Sequence, residues 1–407
     1  MKTVTIVGLG YVGLPLACLC AEKSYNVYGL DIDKNKIDLV SKGISPIEDE
    51  YIIKKLKILV NTLQVTINPA DCIPNSEVIV VCVPTPIDRN NSPDLTALME
   101  SISSISKFIK QNSLLIVEST IYPGTIEEIV IPILKKQKLD AYKNDIFVAH
   151  CPERIDPGNK KWTIENLPRV VGGVTKEAAK KAAEFYRSII EADVLELSSV
   201  KAAEATKIME NTFRDVNIAF VNEMAQSFDK AGIDVIEVIK GASTKPFAFM
   251  PHYPGAGVGG HCIPVDPYYL IEKAKQIGFN HRFLSLARDI NNNMPHYAVG
   301  LLENELKKLK KTIKGVKVGV LGLAYKANVD DTRESPAFEI INILKTKGAD
   351  VFVFDPHVKK GSNVKDLDEL FNKSDYIILA TDHSEFKNMD LEKLKKQKEQ
   401  EALKRKQ

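Results

Sequence analysis

No stretch of this 407-residue sequence approaches the run of about 18 apolar residues that a membrane-spanning helix needs. The N-terminus, Met1-Lys2-Thr3, leads straight into a strand rather than a signal peptide. Charge of one sign is also scarce. Lys+Arg 55 against Asp+Glu 53 leaves a formal +2, which gives no field for holding nucleic acid non-specifically. The six cysteines (18, 20, 72, 82, 151 and 262) have no metal-ligand spacing, nor does any pair among the 7 histidines, so no metal is expected. Cys18 and Cys20 fall on a helical run and Cys82 in an apolar strand, as small buried side chains do. The expected setting is reduced and cytoplasmic, with neither membrane nor nucleic-acid partner. What is present is core material. At 44% apolar and 27% charged, the chain suits a globular protein too long for one ordinary core, hence two or three domains.

Val4-Thr5-Ile6-Val7 is a short, largely β-branched run that ends in Gly8-Leu9-Gly10-Tyr11-Val12-Gly13. A helical stretch from Leu16 to Lys23 follows, then a second strand, Asn26 to Leu30, closing on Asp31: one βαβ unit. Continuous apolar strands recur at Val78–Val83, Leu114–Glu118 and Ile146–Ala149, as a parallel sheet covered on both faces requires. From Ser199 to about Lys230 there is no Gly or Pro. A helix of roughly 30 residues there would span about 45 Å, which suits a bridge between domains with a flank for a dimer partner. Helices continue to about Lys311, interrupted by a Gly/Pro/His-rich loop from Thr244 to Pro267. Beyond Val316, Val318-Gly-Val-Leu-Gly-Leu-Ala-Tyr echoes the first glycine turn, Val351-Phe-Val-Phe-Asp355 echoes the strand ending in Asp31, and Tyr376-Ile-Ile-Leu-Ala-Thr echoes the strand from Val78. The expected fold is α/β, with two Rossmann-like doubly wound domains (1–198 and 312–392) joined by a central helical domain (199–311) carrying the long helix. A charged tail (393–407) has no assignable role.

Gly8, Gly10 and Gly13 follow a strand and open a helix, so the backbone can approach a pyrophosphate at a helix N-terminus. Asp31 would accept the ribose hydroxyls, which favours NAD over its 2′-phosphate form. Pro84-Thr85-Pro86 lies at the carboxyl edge of the third strand and serves structure as readily as function. Gly255-Ala-Gly-Val-Gly-Gly-His-Cys262-Ile-Pro-Val-Asp266 puts a thiol in a glycine-rich loop with an acid four residues on. Such loops let a substrate approach the main chain, and a thiolate there suits covalent catalysis on a carbonyl. His261 is adjacent, so it points elsewhere and makes no dyad. Lys207, Asn211 and Arg214 share one helix face. A solvated charged face and an oxyanion- or phosphate-holding face both fit that pattern. Glu118-Ser-Thr120 and Pro152-Glu153-Arg154 follow apolar strands, so their polar groups are expected at the ligand edge.

Taken together with Val83-Pro-Thr-Pro86, Cys151-Pro-Glu-Arg154, Glu210-Asn-Thr-Phe-Arg-Asp-Val-Asn217 and Gly322-Leu-Ala-Tyr-Lys-Ala-Asn-Val-Asp-Asp-Thr-Arg-Glu-Ser335, these motifs resemble the UDP-glucose/GDP-mannose dehydrogenase family from Thr3 to about Phe386. Within it, Tyr122-Pro-Gly-Thr-Ile-Glu-Glu, Pro152-Glu-Arg-Ile-Asp-Pro-Gly-Asn and Thr244-Lys-Pro-Phe look most like the UDP-N-acetylglucosamine 6-dehydrogenases, while the UDP-N-acetylmannosamine enzymes share Phe-Arg-Asp-Val-Asn. Pro157 stands where plain UDP-glucose enzymes usually carry a second glutamate. The resemblance implies a four-electron oxidation of the sugar C6 alcohol using two NAD, through a thiohemiacetal and thioester on Cys262. It implies that Lys207 and Asn211 stabilise oxyanions, Asp266 supports proton transfer, Glu153 is the hydrolytic base and Thr120 holds the catalytic water or hydroxyl. It further implies that Gly8, Gly10, Tyr11, Val12, Gly13, Asp31, Lys36, Thr85, Thr120 and Arg333 contact NAD. Arg154, Ile155, Lys207, Asn211, Arg214, Gly259, Tyr325 and Lys326 would contact the UDP-sugar, and the long helix would make a homodimer.

Two departures stand out. Phe247 lies near the place where the family commonly puts an arginine reaching the partner's substrate, although the N-acetylglucosamine group often has the same Lys-Pro-Phe. The family's last strand, with its Asp-x-Arg segment, is missing after His383. Two other readings keep the fold: a two-electron relative, against which Cys262 argues, and a non-catalytic nucleotide-sugar-binding subunit.

Overall fold

The computed structural model describes residues 2–47, 49–88, 91–155, 161–387 and 389. The charged tail lies outside them. The strands of the first sheet are β1 (Thr3–Val7), β2 (Asn26–Leu30), β3 (Leu63–Thr66), β4 (Val78–Val81), β5 (Leu114–Val117), β6 (Phe147–His150), β7 (Arg169–Gly173) and β8 (Val194–Glu196). They lie in the order β3-β2-β1-β4-β5-β6-β7-β8. Every pairing is parallel except β6 with β7. β4 and β5 are buried along their whole length, which is why they read as unbroken apolar runs. The order reverses between β1 and β4, the place where a doubly wound sheet opens a crevice at its carboxyl edge. The glycine turn after β1 and Pro84-Thr85 after β4 both lie there.

The helix after β1 runs Gly13–Glu22 and so starts before Leu16, where the apolar pattern begins. A Cβ on Gly13 would come within 1.9 Å of the Gly8 carbonyl oxygen, so only glycine lets the helix begin this close to the strand. Its Leu14, Leu16, Ala17, Cys18, Leu19 and Cys20 are buried with Val4, Ile6, Val27 and Val80 in one apolar cluster. The expected long helix spans Val200–Ala231, 32 residues without a break.

A second, three-stranded parallel sheet comprises β9 (Lys317–Leu321), β10 (Asp350–Phe354) and β11 (Tyr376–Leu379) in the order β10-β9-β11. Val318, Val320, Leu323, Ile340 and Leu344 form its core with the helix Pro336–Thr346. The chain separates into two compact units, one of Met1–Asn211 with Tyr268–Asn280, the other of Thr212–Pro267 with His281 onward. In the second, the long helix is joined to the helix Arg282–Lys308 by buried polar side chains. Arg288 Nη1 donates to Asp215 Oδ1 at 2.6 Å, Asn291 Nδ2 donates to the same oxygen at 2.9 Å, and Asn222 Nδ2 donates to Asn291 Oδ1 at 2.9 Å. Among the described residues, no helix is long and apolar enough to cross a membrane.

Candidate active site

In the first unit the glycine turn is built as a cradle. Gly8 has φ +92°, and its N–H donates to Leu30 O at 2.7 Å, tying the end of β1 to β2. Nothing lies within 4 Å of where a Gly10 Cβ would sit, so that face of the backbone is open. Asp31 Oδ2 accepts from Leu9 N and from Lys36 Nζ, both at 2.7 Å, and Oδ1 accepts from Asp33 N at 3.0 Å. Burial alone would raise the Asp31 pKa; the Lys36 bond and the Asp33 and Leu9 amides outweigh it and hold the carboxyl below its usual range. An anionic acceptor beside an open glycine turn and a helix N-terminus fits the ribose and pyrophosphate of NAD. Tyr11 is exposed and Val12 half-buried beside it.

Loops after the strands bring the other first-unit candidates into place. Thr85 Oγ1 donates to Thr120 O at 2.7 Å, and Tyr269 Oη donates to Thr85 O at 2.6 Å, so Thr85 pins the loop that carries Thr120. Glu153 is buried; its Oε1 accepts from the amides of Arg154, at 2.5 Å, and of Ile155. Arg154 forms a two-pronged pair with Glu210 (3.2 and 2.5 Å) and donates to Pro168 O at 3.0 Å. Lys207 and Asn211 are buried. Arg214, next on the expected face, falls past the division between the units and is exposed.

Glu118 departs from the sequence reading. It does not emerge at the ligand edge but is fully buried, accepting from Arg169 Nη1 at 3.2 Å and Tyr186 Oη at 2.5 Å. Burial pushes its pKa up to about 7 against the pull of Arg169, with Glu153 adding to the rise. Arg169 Nη1 also lies 3.9 Å from Glu153 Oε2, so one cation faces two carboxylates. Neither Arg169 nor Tyr186 carries a motif that would have singled it out. Pro157 lies outside the described residues.

The second unit holds the thiol. None of the six cysteines is in a disulfide, and Cys262 is half-exposed while the other five are buried. Its carbonyl accepts from Val265 N at 3.0 Å and from Asp266 N at 2.8 Å, a turn that starts the helix Asp266–Gln276. The glycines before it do work that the sequence did not disclose. A Cβ on Gly259 would lie 2.7 Å from Tyr325 Cβ, and one on Gly260 2.8 Å from Tyr325 Cε2. Their missing side chains thus let the cysteine loop lie directly on the loop after β9, where Gly260 N donates to Arg333 O at 3.0 Å. Arg333 is clamped by Asp331 at 2.6 Å and Lys326 is exposed. Burial lowers the His261 pKa, and Arg333 adds to the effect.

His357, His383 and Glu385, scattered in the sequence, place ligand-capable atoms within 4.8 Å of one another. His383 is nevertheless fully engaged: Nδ1 accepts from Asn328 N at 2.9 Å, and Nε2 donates to Asp355 Oδ2 at 3.0 Å. The cluster braces Asp355.

A sheet of this strand order, an open glycine turn and an acid closing β2 make a dinucleotide-binding Rossmann fold. Residues 2–190, 201–293 and 319–404 match the NAD binding, central and UDP binding domains of the UDP-glucose/GDP-mannose dehydrogenase family. The chain belongs to that family and is an NAD-dependent UDP-sugar dehydrogenase. It is 40% identical over 401 residues to the UDP-N-acetyl-D-glucosamine 6-dehydrogenase of Pseudomonas aeruginosa, covering 97% of this chain and 93% of that one. It is 38% identical over 395 residues to a UDP-N-acetyl-D-mannosamine dehydrogenase of Methanococcus maripaludis strain C7, covering 96% of this chain and 88% of the other. The solved UDP-D-ManNAc dehydrogenase from Pyrococcus horikoshii has a TM-score of 0.91 at 37% identity, covering 97% of this chain and 93% of that one.

Proposed function

We propose that this protein oxidises the C6 alcohol of UDP-N-acetylglucosamine to the carboxylate through a covalent bond to Cys262. The observation that carries the reading is that Cys262 alone among the six cysteines is not buried, in a loop whose turn leads to Asp266. NAD, when bound, supplies the hydride acceptor for two successive oxidations. The Cys262 sulfur adds to the C6 aldehyde carbon while the carbonyl oxygen takes a proton, giving a thiohemiacetal. Oxidation of that carbon leaves a thioester on Cys262, and water cleaves it, placing its oxygen in the carboxylate and restoring the thiol. Lys207 and Asn211 hold the developing oxyanion by charge and hydrogen bonding. Asp266 supports proton transfer at the thiol, Glu153 takes the proton of the attacking water, and Thr120 holds that water.

Gly8, Gly10, Tyr11, Val12, Gly13, Asp31, Lys36, Thr85, Thr120 and Arg333 hold the cofactor in this reading. Arg154, Ile155, Lys207, Asn211, Arg214, Gly259, Tyr325 and Lys326 hold the UDP-sugar. Met209, Phe213 and Phe220 are exposed along the long helix, which supports a homodimer built on that flank. A second reading, the manno epimer, is favoured by the names of the Methanococcus and Pyrococcus relatives.

NADH formation measured with UDP-N-acetylglucosamine, UDP-N-acetylmannosamine and UDP-glucose tests both. Two NADH per sugar are expected, fastest with the gluco epimer; one per sugar overturns the four-electron reaction. Cys262→Ser is expected to abolish turnover and leave NAD binding intact. Lys207→Ala is expected to cost about 100- to 1000-fold in kcat.

A further inference from the structure

Glu204 sits three residues before Lys207 on the long helix and is completely buried, yet the chemistry above has no use for it. Its carboxylate reaches out of the helix to the loop that follows β5. Oε2 accepts from Gly124 N at 2.6 Å and Oε1 from Ile126 N at 2.8 Å. Ile126 N opens the π-helix Ile126–Val130 and Gly124 N lies just ahead of its N-cap, Thr125, where backbone donors lack helical partners. Tyr122 O accepts from Thr125 N at 3.1 Å and Thr125 Oγ1 at 2.7 Å, closing the turn on itself. Four residues upstream of Gly124 stands Thr120, held from its other side by Thr85. We propose that Glu204 is a positioning residue: its ionised carboxylate fastens the Thr120 loop to the helix that carries Lys207 and Asn211, so that the three residues keep one geometry. The inference rests on the roles proposed above for those three.

The fastening is selective for charge. A carboxylate offers a strong acceptor to each amide, whereas protonation turns one oxygen into a hydroxyl, a poorer acceptor, and weakens its bond to Gly124 or Ile126. Burial pushes the Glu204 pKa up to about 7; the two amides oppose that rise and Glu127 adds to it. The charged groups around it are paired off. Lys201 binds Glu127 at 2.6 Å and Lys273 binds Glu128 at 2.6 Å, while the Tyr122 phenol, raised mainly by burial, stays neutral. The fastening therefore strengthens as pH rises through about 7 and loosens as pH falls through it.

Two measurements on the full chain test this. The first is hydrogen–deuterium exchange of the peptide 118–130, corrected for intrinsic exchange, from pH 5.5 to 8.5. Protection should step up near pH 7 in the wild type and stay low throughout in Glu204→Gln, which preserves shape but cannot accept from both amides. The second is kcat against pH. Glu204→Gln should lose about tenfold at pH 8, the order expected for one charge-assisted hydrogen bond, and lose the rise near pH 7. A Gln variant with wild-type kcat and pH profile, or a peptide with no exchange step near pH 7, overturns the proposal. Thr120→Ala, assayed alongside, separates the layers. If that variant turns over normally while Glu204→Gln still frees the peptide, the fastening stands and the role of Thr120 falls.

Discussion

Gly8 and Gly322 share a φ of +92°, and each donates its N–H to the residue before an acid, Leu30 O at 2.7 Å and Phe354 O at 2.9 Å. The next amide then bonds that acid: Leu9 N to Asp31 Oδ2 at 2.7 Å, Leu323 N to Asp355 Oδ2 at 2.6 Å. The backbones of the two turns are alike, and their surroundings are not. Asp31 is completed by a lysine on the next helix and stands beside an open Gly10. Asp355 is enclosed by the amides of Ala324 (3.0 Å), His357 and Val358 (both 2.8 Å), and by His383. Five residues after each glycine stand Gly13, which starts a helix against the strand, and Ala327, which cannot approach as closely. The helix of the second unit waits until Pro336, capped by Ser335. One turn geometry is thus left open where glycine recurs and is closed into an internal brace where alanine replaces it.

That contrast can be broken by exchanging what differs. Asp355→Ala should cause the largest loss, about 3–5 kcal/mol by urea denaturation, because it strands a buried ring of backbone donors. Gly13→Ala should come next: about 1–3 kcal/mol of overpacking, together with loss of NAD binding by fluorescence titration. Its counterpart Ala327→Gly should stay within about 1 kcal/mol of wild type. Asp31→Ala should cost about 1–2 kcal/mol, because the Leu9 and Asp33 amides lose their acceptor, while raising the Kd for NAD about tenfold or more; unchanged affinity would remove Asp31 from the cofactor site.

The smallest effect is in acid. Burial works against ionisation of Asp355, and the amides of Leu323, Ala324, Val358 and His357 overcome it, holding its pKa below the ordinary range. Its contribution is therefore complete above the unfolded value of about 3.9 and lost as pH falls through the lower folded value, so the urea midpoints of wild type and Asp355→Asn should converge below about pH 4.

The echo between the two turns was legible in the sequence because it consists of apolar runs, glycines and acids at fixed offsets. The same signals placed five strands of the first sheet, the long helix and the lone unburied thiol. β7 was missed because Arg169-Val-Val-Gly-Gly interrupts the apolar pattern, although every residue of it is buried. Glu118 was misplaced for a related reason: a charge after an apolar strand suggests solvent or ligand unless its partners Arg169 and Tyr186, 51 and 68 residues away, are already known. Glu204 was within reach. It continues the stripe of Lys207, Asn211 and Arg214 by one turn toward the N-terminus, and only its burial sets it apart from a surface charge.

The Asp215–Arg288–Asn291–Asn222 chain between the two long helices has one more member. Asn222 Oδ1 accepts from Gly255 N at 3.0 Å, at the head of the loop that ends in Cys262. Sliding either helix by a turn would part the buried Arg288 guanidinium from the Asp215 carboxylate, a costly separation, so the pair favours this alignment, like a key in its slot. The glycine run that leads to Cys262 is thereby tied to that slot at Gly255.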